Sequence, residues 1–396
     1  MKTKRTLLII LAASLAAIVA FGGILFAVSA VRRARAVASY KNIYVERGVY
    51  SYFASYYKGL YLASLRSDGI GAYDTPVFWS LTDAEGVSYG TRLREGFADS
   101  MRRTLVSAAL FDSATTLSDA EKKSIAATAQ EVLSYRANGD KSTFNRLTET
   151  YGFTYDDYVD ALTILYKSRN AKSAIYGSNG ENLKNTADAK TYLSTEYCRV
   201  YLLALRTEDT FLLDKDGNRV TEGGRDVLRD LTDEEKAERT ALIARIEKTI
   251  ENEKNDTDGE EGRMNPAMFW NLIETYDDGE GRDLTDGYYF SRGSAYTEEF
   301  SEAYPALVSL ALTLDAGEYA SCEEGGVRFF LAAAEPTASA ETLAVNERFF
   351  TDFFSRVADV AYEKMLTLFL PDVTLGEEAL AFDIVSLPYN SEFVYR

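Results

Sequence analysis

The feature that most limits how this chain can fold is an uncharged apolar segment close to its start. Residues 7–31 contain no charged side chain, and a helix needs about 20 such residues to cross a bilayer. Backbone groups inside a bilayer must bond to one another, so we expect a single transmembrane helix here. The basic residues Lys2, Lys4 and Arg5 precede it.

A cleaved signal peptide is the alternative for this segment. Such a peptide usually has a shorter apolar run and ends in small residues, and the sequence AVSA at 27–30 offers small residues of that kind. The length of the apolar run favours an uncleaved anchor. Arg32, Arg33 and Arg35 balance the basic residues at the other end, so the positive-inside rule does not fix the orientation.

The absence of histidine excludes several classes of active site. It removes Ser-His-Asp and Cys-His nucleophile pairs, His-ligated zinc, haem with a proximal histidine and a histidine general base. Two cysteines, Cys198 and Cys322, are too few for a disulfide framework or a zinc site of four thiolates. We therefore expect no metal or cofactor. Two buried thiols are favoured, and a disulfide stays open, because it requires Cα atoms within about 7 Å.

The charge of the chain is strongly acidic. The formal net charge is −18, with 61 acidic residues against 43 basic ones, which argues against a nucleic-acid partner because phosphate binding needs basic surface. In so acidic a chain, carboxylate pairs such as Asp156-Asp157 are typical of solvated surface rather than of a glycosidase. The sequence DKDGN at 214–218 resembles the start of a calcium loop. Its twelfth position is Arg225 instead of glutamate, so a hairpin turn is predicted.

Local patterns divide the chain into a helical part and a mixed part. Residues 40–195 are predicted to be mainly α, with a Tyr-rich core stripe near 50–62 and helix starts at Ser118 and Thr154. Residues 196–335 change character. A strand at 196–205, a hairpin at 211–222, helices at 231–254 and 264–276, and two strands around Gly325-Gly326 predict an α+β module. A helix at 345–369 and an irregular tail follow.

The stretch GYYFSRGSAYTEEFSEA at 287–303 combines turn residues, aromatic residues and a helix start. Thr297 is the predicted N-cap, and Glu298 and Glu299 suit the positive end of the helix. Pro305 is expected to interrupt that helix. Tyr296 and Phe300 lie four residues apart, so both rings can be offered near the helix entry.

Residues 196–335 resemble a parvulin-type peptidyl-prolyl isomerase domain. The matching segments, in chain order, are Tyr201-Leu202-Leu203, Phe269-Trp270-Asn271-Leu272, Tyr276-Asp277-Asp278, Asp283-Leu284 with Gly287, Phe290-Ser291-Arg292-Gly293, Tyr296 with Phe300, Gly317-Glu318, and Gly326-Val327-Arg328-Phe329-Phe330. With the apolar N-terminal segment and the flanking helices, the chain as a whole resembles extracytoplasmic foldases of the PrsA and SurA type.

The resemblance implies a peptide-binding site and a loss of the family's histidines. The two histidine positions inside the family's sheet fall on Tyr201 and Arg328, and the pocket methionine becomes Tyr296 while its phenylalanine is kept as Phe300. Arg328 then needs an acidic partner such as Asp277 or Asp278. The substrate-binding residues implied in this way are Tyr201, Asp278, Phe290, Tyr296, Phe300 and Arg328.

The resemblance also implies an organisation and a function. It divides the chain into a membrane anchor (1–36), a helical chaperone-like domain (37–195), a parvulin-like domain (196–336) and a C-terminal helical segment (337–396) that packs on the helical domain. The implied protein is a single-pass membrane chaperone whose extracytoplasmic body binds unfolded or newly secreted polypeptides, with weak or absent isomerase activity. An active isomerase with a remodelled site and a non-enzymatic envelope scaffold are the alternatives.

Overall fold

The computed structural model of the chain describes residues 32–184, 186–255, 266–278, 287–336 and 347–394. They form two compact units, one made of the described parts of residues 1–178 and 360–396 and the other of the described parts of residues 179–359. The apolar segment at 7–31 lies outside the described residues. Within those residues, no helix combines the length and the apolar character that crossing a bilayer requires.

Helices account for most of the described chain. They are α1 Arg47–Ser67, α2 Pro76–Ser80, α3 Tyr89–Ala114, α4 Asp119–Ala137, α5 Lys141–Thr148, α6 Tyr155–Tyr176, α7 Ala187–Glu196, α8 Asp233–Asn255, α9 Pro266–Tyr276, α10 Ala295–Ala303, α11 Pro305–Ala311, α12 Glu347–Phe369 and α13 Glu377–Leu380.

The strands are mostly short. They are β1 Ala36–Tyr40, β2 Ile43–Glu46, β3 Cys198–Arg206, β4 Asp209–Phe211, β5 Thr221–Glu222, β6 Arg225–Asp226, β7 Leu228–Asp230, β8 Tyr288–Phe290, β9 Tyr319–Glu324, β10 Val327–Ala334 and β11 Thr374–Leu375. Together with the helices they confirm a helix-rich α+β fold.

The first unit is built around the long helices α1, α3 and α6. Ser118 and Thr154 form complete capping boxes at the starts of α4 and α6, which confirms both predicted helix starts. The Tyr-rich stripe of α1 is core, because Tyr50, Tyr52 and Phe53 are buried against the other helices. The unit is therefore held by aromatic packing between helices, as the three- and four-residue spacing indicated.

The first unit also contains a small sheet that the local patterns did not predict. Strand β1 pairs with β2 on one side and with β11 on the other, so Ala38 lies opposite both Val45 and Leu375. Residues 40–195 are mainly helical as predicted, but Ile43–Glu46 forms a strand and α1 begins only at Arg47. The tail is likewise more regular than expected. Short strands of this kind depend on partners far away in the chain, which no local period reveals.

The second unit is centred on a four-stranded antiparallel sheet with the order β8-β3-β10-β9. Helices α10 and α11 cover one face, where Leu307 and Val308 pack against Leu202 and Phe329. Helices α8 and α9 cover the other, where Ile246 and Phe269 are buried with the odd-numbered residues of β3. Because side chains alternate along a strand, neighbouring residues of β3 and β10 face different helical layers.

Two turns of the second unit test predictions from the sequence. The Asp214 carboxylate accepts hydrogen bonds from the backbone N–H of Asp216 (2.8 Å) and of Asn218 (2.9 Å). Leu213 pairs with Arg219 across this turn. The carboxylate that a calcium loop would turn towards the ion is thus used to close a hairpin, and the predicted turn is confirmed.

The start of α10 differs from the prediction. Its N-cap is Ser294, whose hydroxyl accepts a hydrogen bond from the N–H of Thr297. Thr297 lies inside the first turn, and its own hydroxyl accepts from the N–H of Ser291 at 2.9 Å. Pro305 does break the helix as expected, because it opens the separate helix α11.

Candidate functional site

Three of the six predicted substrate-binding residues lie together on the α10 face of the second unit's sheet. Phe290 on β8 is fully buried at 0% exposure, with its ring centroid 5.2 Å from that of Phe300 and 6.2 Å from that of Tyr296. Phe300 and Tyr296, on α10, are half-buried. The structure thus places Phe290 in the core and leaves the other two rings partly accessible above it.

Two further tyrosines extend these rings into one surface. Tyr288 lies 5.3 Å from Phe300, and Tyr304 lies 5.9 Å from the same ring, measured between centroids. Both are half-buried. We call Tyr288, Tyr296, Phe300 and Tyr304 the aromatic surface. Tyr288 and Tyr304 were not among the predicted residues, although their spacing indicates them. Tyr288 is two residues before Phe290 on a strand and Tyr304 is four residues after Phe300 on a helix, so each shares a face with a predicted residue.

The backbone around β8 fixes the aromatic surface to the sheet. Gly287 has a φ of 72°, and a Cβ there would lie 2.6 Å from the carbonyl oxygen of Val200, so only glycine lets the chain enter β8 so close to β3. The Thr297 hydroxyl and the Ser294 cap then hold the turn that leads into α10. Arg292 is exposed at this turn, at the edge of the surface.

Tyr201 and Arg328 lie on the opposite face of the sheet, towards α8 and α9. The Tyr201 hydroxyl accepts a hydrogen bond from Arg199 Nη2 at 2.6 Å, and its ring packs edge-on against Trp270. Arg328 donates to Glu247 Oε1 at 2.7 Å and to the Ser321 hydroxyl at 3.0 Å. The predicted pairing of Arg328 with Asp277 or Asp278 is wrong, because α8 supplies the carboxylate.

Asp278 and Asp277 close the part of the β3 edge that β8 does not reach. The Asp277 carboxylate accepts from the N–H of Ala204 at 2.8 Å, and the Asp278 carboxylate accepts from the N–H of Arg206 at 2.7 Å. Asp278 also pairs with Arg239 of α8 at 3.1 Å. These two acids satisfy strand N–H groups that a longer β8 would have bound, so the structure gives them a role in the sheet.

The six predicted residues therefore do not line one groove. They divide into Phe290, Tyr296 and Phe300 on one face, Tyr201 and Arg328 on the other, and Asp278 at a strand edge. The matched segment Asp283-Leu284 lies outside the described residues. Within the described ranges, no group of acidic residues and cysteines is placed to hold a metal ion.

The two cysteines are too far apart to meet. Both lie on the α10 face. Phe329 of β10 pairs with Cys322 on one side and with Ala204 of β3 on the other, so Cys322 lies at the level of Ala204. Cys198 is six residues further along β3, which at about 3.3 Å per residue is roughly 20 Å. That separation is far beyond disulfide range.

Alkylation should distinguish these two thiols. Burial raises the pKa of Cys198 to about 11. Burial also raises the pKa of Cys322, and the nearby Glu324 carboxylate raises it further. At mildly alkaline pH, we expect both cysteines to remain unpaired under oxidising conditions and Cys198 to react with iodoacetamide more slowly, because the thiolate is the nucleophile. Peptide mass mapping over time measures both rates, and a linked Cys198–Cys322 peptide would contradict the register of the sheet.

The second unit thus belongs to a broad class, an α+β module that offers an aromatic surface from one face of an antiparallel sheet. No protein-family model and no curated protein sequence matches the chain.

Two solved structures are similar to the chain, and both are PrsA proteins. The crystal structure of PrsA from Bacillus subtilis is 16% identical, with 74% of this chain and 90% of that chain covered and a TM-score of 0.20. The crystal structure of foldase protein PrsA from Streptococcus pneumoniae is 11% identical, with 78% and 99% covered and a TM-score of 0.21. TM-scores this low do not establish a common fold.

Proposed function

We propose that this protein is a membrane-anchored extracytoplasmic chaperone that binds unfolded or newly secreted polypeptides through its second unit. The observation that carries the proposal is the aromatic surface. It offers four partly accessible rings over the buried Phe290, on a backbone fixed by the Ser294 cap and by Gly287. Aromatic side chains give a large apolar contact area, and tyrosine adds a polar end that tolerates many partners.

The resemblance to parvulin-type domains supports the same assignment. Its segments fall on β3, α9, β8 with the turn after it, α10, and the β9–β10 hairpin, so the ordered motifs occupy a single folded module. The N-terminal apolar segment supports an anchor, and with it a single-pass membrane protein whose body is extracytoplasmic. Both the anchor and the location are part of the proposal.

Isomerase activity is proposed to be weak or absent. Amide rotation has a barrier of about 18–20 kcal/mol, and a site lowers it by binding the twisted amide better than the planar one. Tyr201 and Arg328 stand where the resemblance places histidines, yet both face α8 and α9 and are engaged with Arg199, Glu247 and Ser321. They therefore cannot form a hydrogen-bonded network beneath Phe300.

Two parallel assays on the full chain in a mild detergent test this proposal. We expect the protein to suppress aggregation of a chemically unfolded client and to leave the cis/trans rate of a short X-Pro peptide within about twofold of the uncatalysed rate. Replacing both Tyr296 and Phe300 by serine should raise the concentration needed for half-suppression about tenfold, which corresponds to about 1.4 kcal/mol of lost contact free energy.

The matched control is Tyr135→Ser, which removes a ring that is 80% exposed on α4 of the first unit. It should hold clients as well as the wild type does. Isomerisation that disappears in the Phe300→Ser variant would instead favour an active isomerase. If neither activity were found, a non-enzymatic scaffold would be the better assignment.

A further inference from the structure

The strand β9 ends the sheet of the second unit and presents backbone groups on its outer side. Among the described residues it pairs only with β10. The Ala333 N–H donates to the carbonyl of Glu318, and the Ala333 carbonyl accepts from the N–H of Gly317. The peptide groups of Ala333 therefore point towards β9.

Alternation along the strands then assigns the direction of every β9 peptide group. Counting from Ala333, the residues of β10 that bond to β9 are opposite Ala320, Cys322 and Glu324. The peptide groups of Tyr319, Ser321 and Glu323 consequently point away from β10. Ser321 and Glu323 are exposed, so among the described residues their two N–H donors and two carbonyl acceptors form an open edge.

A cavity of about 510 Å³ lies beside this edge, on the α8 face. Its apolar surface comes from Ile250, Tyr319 and Phe330, and its α8 side carries Glu247 and Glu251. A strand added at the edge would place alternate side chains on this face, next to the cavity. The cavity therefore supplies contacts for the side chains of an added strand, while the edge supplies contacts for its backbone.

The charges around the edge favour a cationic occupant. The described residues that line the cavity include Glu247 and Glu251 and no lysine or arginine. Glu323 lies on the edge itself, and the nearby Arg328 pairs with Glu247 at 2.7 Å. A second copy of β9 would bring Glu323 against like charges, in a chain whose net charge is −18, and directly opposed like charges destabilise a strand pair. A lysine stem can lie on Phe330 and Ile250 while its ammonium group reaches a carboxylate.

We propose that the outer edge of β9 binds an extended, cationic polypeptide segment as an additional antiparallel or parallel strand. Backbone hydrogen bonds to Ser321 and Glu323 provide affinity, and the acidic cavity selects basic side chains, as in other cases of strand addition. This site lies away from the aromatic surface, on α8 rather than α10, and does not depend on the chaperone function proposed above.

Ser321 allows a sharp test. Proline at this position removes an N–H that faces solvent, which an edge strand tolerates, and it also removes the hydroxyl that accepts from Arg328. Ser321→Ala loses the same hydroxyl but keeps the N–H, so it is the matched control. The probe is a fluorescein-labelled short peptide of alternating lysine and valine, titrated with the full chain in mild detergent and followed by anisotropy. A peptide of alternating glutamate and valine is the charge control.

We expect the cationic peptide to bind, the acidic one not to, and Ser321→Pro to weaken binding about tenfold while Ser321→Ala leaves it unchanged. Glu251→Gln should weaken binding about twofold to threefold and reduce its salt dependence. Tyr296→Ser with Phe300→Ser should bind the peptide like the wild type, which separates this site from the aromatic surface.

Two results would overturn the proposal. One is equal binding by Ser321→Pro and the wild type, with or without a change in oligomeric state. The other is equal weakening by Ser321→Ala and Ser321→Pro. If Ser321→Pro does not fold by circular dichroism, the pair Glu323→Pro and Glu323→Ala applies the same test to the other outward N–H.

Discussion

Replacing Lys58 by methionine is expected to lower the free energy of unfolding of the first unit by about 3–5 kcal/mol. The Lys58 side chain is only 1% exposed and pairs with Asp74 at 2.6 Å. Its ammonium group also donates to the carbonyl oxygens of Val385 (2.9 Å) and Leu387 (2.5 Å). Burial lowers the pKa of Lys58, and Asp74 opposes that shift. The substitution leaves the two carbonyls without this donor and removes the charge partner of the Asp74 carboxylate, which keeps a hydrogen bond from the Trp79 indole N–H at 2.8 Å.

Urea denaturation followed by tryptophan fluorescence measures this loss. The chain has two tryptophans, Trp79 in the first unit and Trp270 in the second, so a Trp270→Phe background reports the first unit alone. Lys123→Met removes the same charge from an exposed position on α4 and should change the free energy of unfolding by no more than about 0.5 kcal/mol.

A second substitution checks the mechanism. If Lys58 acts by compensating the Asp74 charge, adding Asp74→Asn to Lys58→Met should recover part of the lost stability. No recovery would mean that the loss comes from the carbonyl contacts with the C-terminal segment. A loss below about 1 kcal/mol for Lys58→Met alone would show that the buried pair contributes little.

Phe290→Ala should lower the free energy of unfolding of the second unit by a similar amount, about 3–5 kcal/mol. The ring is completely buried and touches the rings of Tyr296 and Phe300, so its removal leaves a cavity beneath the aromatic surface. A Trp79→Phe background reports this unit through Trp270. Phe290→Leu preserves most of the volume and should cost less than about 1.5 kcal/mol.

This experiment also decides between two roles for Phe290. A core residue loses stability in proportion to the volume removed, and client binding falls only as the unit unfolds. A substrate-binding residue would instead lose client binding at a denaturant-free condition in which the second unit remains folded. The complete burial of the ring favours the core role over the one that the resemblance implied.

The sequence predicted those elements whose signal is local. The strand at 196–205, the helices at 231–254 and 264–276, and the strand pair around Gly325-Gly326 all occur close to their expected bounds. The N-caps at Ser118 and Thr154 were predicted correctly, because each is followed three residues later by the acidic residue that completes a capping box. The N-cap of α10 was predicted at Thr297 rather than Ser294, because either hydroxyl can cap a helix. In the structure the Thr297 hydroxyl accepts from the N–H of Ser291, and Ser294 is the N-cap.

The candidate site was predicted less well than the fold. Tyr296 and Phe300 were recognised because they lie one helical turn apart, a relation that the sequence displays. The resemblance grouped Tyr201 and Arg328 with them from the order of motifs along the chain, and that order does not show on which face of a strand a side chain lies. A change of one position along a strand moves a side chain to the opposite face of the sheet. Tyr201 and Arg328 lie on the face opposite the aromatic rings.

The sequence by itself excluded active sites that depend on histidine, and it predicted the α+β character and the aromatic stretch that carries the aromatic surface. Those properties depend on composition and on neighbours within about one turn of the chain. Only the tertiary structure decided that Glu247 pairs with Arg328, that Asp277 and Asp278 close a strand edge, and that Lys58 binds the C-terminal segment. Each of these contacts joins residues more than 70 positions apart, and a buried or edge polar group takes whichever partner the packing brings within reach.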